Sequence, residues 1–412
     1  MLKKSLVWLA RVGAALLLCV AAFALYVQID GLPHFAHVTP ERHVVSTPER
    51  VARGRQLASL LCADCHLNPS TGRLTGKHLA ELPPVFGHIV SKNITRSVDK
   101  GIATWTDGEI AYLLRTGVRR DGQYIPPYMV KLPHISDEDL DSVIAFLRSD
   151  DPMVAAAEVA PPGVSEPSFL SKVLSHTVMQ PLPFPTQRIS APARNERVAY
   201  GKYLVYALDC YSCHSADFKS VNVMDPPLSE GFFGGGNTLL NSKGEPVYSA
   251  NLTPDEQTGI GKMTEHDFVR TMRTGIRPDG YALSYPMVAM TELDEQDLGS
   301  IYAYLRTVPK LNHVVTRVAR PATESDAGKQ AYVRYGCTSC HGDNGLGIGD
   351  LRPANRDYPQ DAELLHWILD APSIKPGTRM PAWRGVIAET DYPALLGYVR
   401  KLSGVAQETA QK

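Results

Sequence analysis

The longest apolar run lies at the start of the chain. Lys3, Lys4 and Arg11 come first, Val12 to Val27 carries no charge, and polar residues resume at Gln28 and Asp30. Leu6–Val27 is long enough to span a bilayer as one helix when Arg11 snorkels to the cytoplasmic side. The same stretch also fits a cleaved signal peptide, with Ala22-Phe23-Ala24 as the small-x-small site. Leu6–Ala10 extends the apolar run and favours the anchor. A lipid attachment at Cys19 is disfavoured, because Leu18 precedes it where a small residue is expected. Both live readings put everything after residue 30 outside the cytoplasm, in the periplasm of a cell with an inner membrane.

After the first run, apolar positions recur at helical spacing in short segments separated by long polar stretches, which predicts an all-α chain with long loops. One helix opens at Thr47-Pro48-Glu49-Arg50, with Thr47 as cap and proline in the first turn. A second opens near Asn195-Glu196-Arg197 and a third near Ser325-Asp326-Ala327. Each carries a glycine early on, namely Gly54, Gly201 and Gly328, and each runs into the pattern Cys-x-x-Cys-His.

The first two segments match further. Asn93-Ile94-Thr95 pairs with Asn251-Leu252-Thr253, Gly101-Ile102 with Gly259-Ile260, and Arg115-Thr116-Gly117 with Arg273-Thr274-Gly275. Met129 and Met287 follow those arginines at one offset, and both segments close on a helix, ending Ala145-Phe146-Leu147-Arg148 or Ala303-Tyr304-Leu305-Arg306. This is one fold used twice. The third segment is shorter and ends in a helix from Tyr392 to Leu402, after Met380-Pro381-Ala382-Trp383. The expected organisation is therefore an anchor or signal segment at 1–30 and helical domains at 45–150, 193–310 and 323–405. Residues 151–192, with eight prolines, are expected to form an extended linker.

Length and charge exclude some function classes. A chain of 412 residues is too long for one core. Its net charge of -1 offers no basic footprint for nucleic acid. No phosphate loop, dinucleotide fingerprint or Ser-His-Asp arrangement is present, so no catalytic residue is expected.

The cysteines carry the chemistry. Six of seven fall in the three patterns Cys62-Ala63-Asp64-Cys65-His66, Cys210-Tyr211-Ser212-Cys213-His214 and Cys337-Thr338-Ser339-Cys340-His341. Two cysteines so spaced form thioethers to the two vinyl groups of one haem, and the histidine that follows is placed beneath the iron. Random placement of the 7 cysteines and 13 histidines would give about 0.004 such patterns. A shared zinc site would need four ligands at close spacing, and a dithiol redox pair would sit in a βαβ unit; neither fits. Three covalent haem c groups are expected, with His66, His214 and His341 as proximal iron ligands. Each iron then needs a sixth ligand or an open position, and methionine is the usual partner for electron transfer. Met129, Met287 and Met380 are the candidates, with His134 competing with Met129 and Met290 with Met287. Asn93, Arg115, Asn251 and Arg273 are candidate partners for haem propionates. A carbonyl near Pro353 is a candidate partner for the other ring nitrogen of His341.

With Asn251-Leu252-Thr253-Pro254-Asp255, Gly259-Ile260-Gly261 and Arg273-Thr274-Gly275, the first two segments resemble the triple-haem cytochrome c subunits of membrane-bound quinoprotein alcohol and gluconate dehydrogenases. The third, with Cys337–Gly342 and Met380-Pro381, resembles class I cytochrome c. The resemblance covers roughly residues 47–405. It implies cytochrome c-like domains wrapped around haem, an electron-transfer role, and redox partners: a dehydrogenase subunit on one side and a membrane quinone or oxidase on the other. The chain departs from the family's usual Met-Pro at Met129-Val130 and Met287-Val288, and has Arg96-Ser97 where Pro-Asp is common. These departures leave a second reading open, a haem enzyme such as a peroxidase with one open-coordinate iron.

Overall fold

In the computed structural model, the described residues are 2–68, 71–79, 82–241, 244–280, 282–316, 326–346, 349–375, 378 and 380–410. Ser325, read as part of the third helix opening, lies outside them. The chain divides into two compact units. The first comprises residues up to Arg55, Leu61–Pro133 and Asp137–Ile189; the second comprises Gln56–Leu60, His134–Ser136 and Ser190 onward.

The apolar run is a single helix, α1, Leu2–Asp30, whose side chains are exposed along most of its length. α2 (Pro48–Leu61) starts where Thr47 Oγ1 accepts the amide of Arg50 at 3.2 Å. It leads into the short α3, Ala63–His66. α4 (Asp107–Thr116) opens with a reciprocal cap between Thr106 and Glu109 and stops at Gly117, whose φ of 82° is the left-handed conformation that favours glycine. α5 spans Asp137–Arg148. The proline-rich stretch expected as extended linker differs: it holds α6 (Phe169–Thr177), capped by Ser168, and β2 (Glu166–Pro167), which pairs antiparallel with β1 (Gly87–His88). Eight prolines hid a thirteen-residue window between Pro167 and Pro181 that contains none, and the nine-residue α6 forms there.

In the second unit, α7 (Arg197–Ala207) precedes α8 (Cys210–His214), and a hairpin of β3 (Thr238–Leu240) and β4 (Pro246–Tyr248) follows. α9 (Glu265–Thr274) repeats the design of α4, with a Thr264–Asp267 capping box and a left-handed Gly275. α10 (Glu295–Leu305) packs on α7 and α9. The remainder is α11 (Ala327–Arg334), α12 (Cys337–His341), α13 (Ala354–Asp357), α14 (Asp361–Ile374) and α15 (Tyr392–Ala410). A core of Tyr332, Leu364, Ile368, Leu395, Val399 and their neighbours joins α11, α14 and α15.

The early glycines have one cause. A Cβ on Gly54 would sit 1.8 Å from Ser142 O, one on Gly201 would sit 1.8 Å from Ser300 O, and one on Gly328 would sit 2.2 Å from Ala394 O. Each time, the helix before the cysteines crosses the closing helix of its own segment with backbones in contact. No other residue permits that approach.

Candidate functional site

The three Cys-x-x-Cys-His patterns form tight helical turns at the ends of α2, α7 and α11. The position before the first cysteine is left-handed in two of them, at Asp209 (φ 57°) and Gly336 (φ 69°). Cys62, Cys65, Cys210, Cys213 and Cys337 are half-buried and Cys340 is exposed; none is in a disulfide. Burial pushes the thiols of Cys62, Cys210, Cys213 and Cys337 up to about 12, so they rest protonated.

Each histidine is held the same way. His66 Nδ1 lies 2.7 Å from Lys92 O, His214 Nδ1 lies 2.8 Å from Ala250 O, and His341 Nδ1 faces Gly349 O. A carbonyl only accepts, so Nδ1 carries the proton and Nε2 is left with a free lone pair. Burial lowers the pKa of all three rings, with the carbonyl bond opposing it, and this favours the neutral, ligating form. Gly349 lies so close that a Cβ there would be 2.7 Å from His341 Cε1. Thioether-forming thiols, a neutral imidazole with Nε2 available, and a backbone pressed against the ring are what covalent haem requires. The residues fit that group.

The carbonyls show what the Asn-x-Thr repeat does. Lys92 and Ala250 immediately precede Asn93 and Asn251. Asn93 Oδ1 accepts from Thr95 N and Thr95 Oγ1 at 2.9 and 2.7 Å, and its amide donates to Ala157 O and Val159 O, both at 3.0 Å. Asn251 Oδ1 accepts the same pair from Thr253 at 2.9 and 2.8 Å, while its amide donates to Thr258 Oγ1 and Leu311 O. Both asparagines are buried. Their polar groups, expected at propionates, are engaged by protein and hold the turn that presents the histidine's carbonyl. For His341 that carbonyl is Gly349 O, closer in sequence than the region of Pro353 where it was expected.

Arg115 and Arg273 differ. Arg115 is 1% exposed and donates to Leu132 O (2.9 Å), Pro133 O (3.0 Å) and the carboxylate of Asp137 (3.3 Å). It fastens the loop that carries Met129. Arg273 is exposed.

Met129 and Met287 occupy equivalent places. Their loops begin with Ile125 N on Gly117 O and Leu283 N on Gly275 O, and end with Leu132 N on Leu114 O and Met290 N on Met272 O. Met290 is thus the counterpart of Leu132, a strut residue, and Met287 that of Met129. His134 lies in the second unit, with Nε2 2.6 Å from Val223 O and its ring against Tyr206 and Tyr211. Met380 is half-buried against the α11–α14–α15 core.

The backbone carbonyls that orient His66 and His214 escaped sequence reasoning, because a carbonyl has no residue-type signature. The Asn-x-Thr repeat was the available signal.

Comparison with known proteins agrees with these arrangements. Residues 198–309 match the family model described as cytochrome c, and residues 323–399 match that of cytochrome c oxidase, cbb3-type, subunit III. The alcohol dehydrogenase (quinone) cytochrome c subunit of Gluconobacter oxydans is 25% identical over 387 residues, covering 85% of this chain and 78% of its own. The fructose dehydrogenase cytochrome subunit of Gluconobacter japonicus is 27% identical, covering 73% and 65%. The gluconate 2-dehydrogenase cytochrome c subunit of Pantoea cypripedii is 25% identical, covering 85% of each chain. This mostly helical chain with one N-terminal apolar helix contains cytochrome c domains, and its homologues are the cytochrome c subunits of dehydrogenases.

Proposed function

We propose that this chain is a membrane-anchored cytochrome c subunit with three covalent haem c groups, one on each Cys-x-x-Cys-His segment. It relays electrons from a dehydrogenase partner to a quinone or oxidase in the inner membrane, with its helical domains in the periplasm. The observation that carries this reading is threefold: each histidine following a cysteine pair has Nδ1 fixed by a backbone carbonyl and Nε2 free. The homologues, all subunits of dehydrogenases in the comparison above, support a dehydrogenase as donor.

When bound, haem c supplies a reversible one-electron couple at its iron. The chain's own residues set the rest. Cys62 and Cys65, Cys210 and Cys213, and Cys337 and Cys340 would hold the three groups, each with its following histidine. Met129, Met287 and Met380 would supply the sixth ligand, which raises the potential and closes the position to substrates. Segments 45–150, 193–310 and 323–405 act as the three haem-bearing domains, and 1–30 as the anchor. The homologues do not favour the peroxidase alternative.

The test is carbon monoxide binding to the fully reduced, full-length chain. A closed relay binds none on the seconds scale and is reoxidised completely by a short-chain quinone. Rapid binding at one iron would transfer the assignment to the haem-enzyme reading.

A further inference from the structure

Helix α6 is built inside out. Its inward positions are small and polar: Ser171 and Ser175 are 1% and 0% exposed, and Ser171 Oγ donates to Phe86 O. The exposed positions of its first turn are large and apolar. Phe169 and Leu170 are 48% and 47% exposed, and Val173 continues that side one turn on. Val85 is 52% exposed on the adjoining turn, where its carbonyl accepts from Ser168 Oγ. A helix at a protein–water surface carries the opposite polarity.

The position of α6 explains the inversion. It is fastened to the C-terminal end of α1: His176 Nε2 lies 3.2 Å from Gly31 O and 3.5 Å from the Asp30 carboxylate, its ring stands edge-on to Tyr26, and Lys172 Nζ reaches Gln28 Oε1 at 3.4 Å. These bonds fix the level at which α6 lies. Leu6–Val27 spans about 33 Å as a helix, close to the roughly 30 Å of a bilayer's hydrocarbon core. Gln28–Gly31 therefore falls at the headgroups, and α6 with it.

We propose that α6 is an interfacial helix that lies in the headgroup layer of the anchoring membrane, with Phe169, Leu170 and Val173 turned into the acyl boundary and Lys172 at the anionic surface. The occupant of this face is lipid, since α6 is fastened to Tyr26, Gln28, Asp30 and Gly31, at the end of the apolar helix α1. Anchor and interfacial helix together hold the first cytochrome unit at a set height above the quinone-bearing layer. This inference rests on the reading of α1 as a membrane-spanning anchor.

The test uses full-length chain reconstituted in phosphatidylcholine–phosphatidylglycerol vesicles. With Cys19→Ser, a single cysteine at Leu170→Cys carries an environment-sensitive fluorophore, quenched in turn by doxyl-lipids and by aqueous iodide. Exposed Val98→Cys and Phe218→Cys serve as aqueous controls. The expected ratio of lipid to iodide quenching at 170 is roughly tenfold that of the controls. A ratio equal to theirs overturns the proposal. So does iodide access at 170 that is lost only when a dehydrogenase subunit is added, which would assign the face to protein. A label at Leu17→Cys separates the two readings: lipid quenching there with iodide quenching at 170 removes only the interfacial helix, while iodide quenching at both removes the anchor as well.

Discussion

The methionine loop of the first repeat and that of the second share the hydrogen bonds at their ends and differ in what fastens them. Both hang between a helix stopped by a left-handed glycine and a closing helix, with matching backbone hydrogen bonds at each end. In the first, Arg115 is buried across Leu132 O, Pro133 O and Asp137, and Lys131 donates to Ile125 O at 2.7 Å. In the second, the counterpart of Arg115 is the exposed Arg273, and Ala289 stands where Lys131 would be. A matching residue in a repeat therefore establishes a matching backbone position, and nothing more about what the side chain does.

The features common to all three segments should break hardest. Gly54→Ala, Gly201→Ala and Gly328→Ala each drive a methyl group into a backbone carbonyl. Each should cost about 3 kcal/mol or more, read by denaturant unfolding followed at the haem absorbance. Equal tolerance of alanine at all three would remove the argument that the segments share one helix crossing.

The difference between the arginines gives the next effect. Arg115→Ala takes the donor from the buried carbonyls of Leu132 and Pro133, while Asp137 keeps Arg42 and the Ile189 amide, and should destabilise the first unit by about 2–4 kcal/mol. Arg273→Ala should change stability by less than about 0.5 kcal/mol. Comparable losses in the two variants would contradict the distinction drawn between them.

The residue before the first cysteine also varies between segments: Leu61, Asp209 and Gly336. Burial pushes the Asp209 carboxyl up to about 7 from 3.8, against a 2.6 Å bond from Ser212 Oγ. Between those values the folded chain keeps a proton that the unfolded chain has released. Stability from this group is full below about pH 4 and is lost as pH rises through about 7. Asp209→Asn should flatten that slope and raise stability at pH 8 by on the order of 2 kcal/mol, measured by melting across pH. An unchanged slope would show that another group causes it.

The smallest effect separates neighbouring methionines. Met290→Leu should leave the sixth position of the second haem intact, because Met290 is the counterpart of Leu132. Met287→Leu should lower that haem's midpoint potential in a redox titration. The reverse pattern would exchange their roles.

The sequence made legible whatever a residue type alone can signal. The cysteine pairs, the crossing glycines and the offset between Asn93 and Asn251 all have that character. Other features depend on backbone atoms or on long-range partners. Lys92 O and Ala250 O orient the proximal histidines, yet lysine and alanine carry no hint of it. Asn93 and Asn251 read as polar groups available to a cofactor, because their amide partners at Val159 and Leu311 lie some 60 positions away. His134 read as a rival ligand by proximity in sequence to Met129, and its ring packs with Tyr206 and Tyr211 of the second unit instead. Helix α6 was masked by the prolines around it, and its outward apolar face runs against the usual helical pattern.

The central claim is that each Cys-x-x-Cys-His segment holds its own covalent haem. Intact mass of the mature chain, paired with haem content by pyridine haemochrome, tests it most directly. The expected result is three haems per chain, falling to two in each of Cys65→Ala, Cys213→Ala and Cys340→Ala. A chain with two haems and a cysteine pair still titratable as free thiols would contradict it.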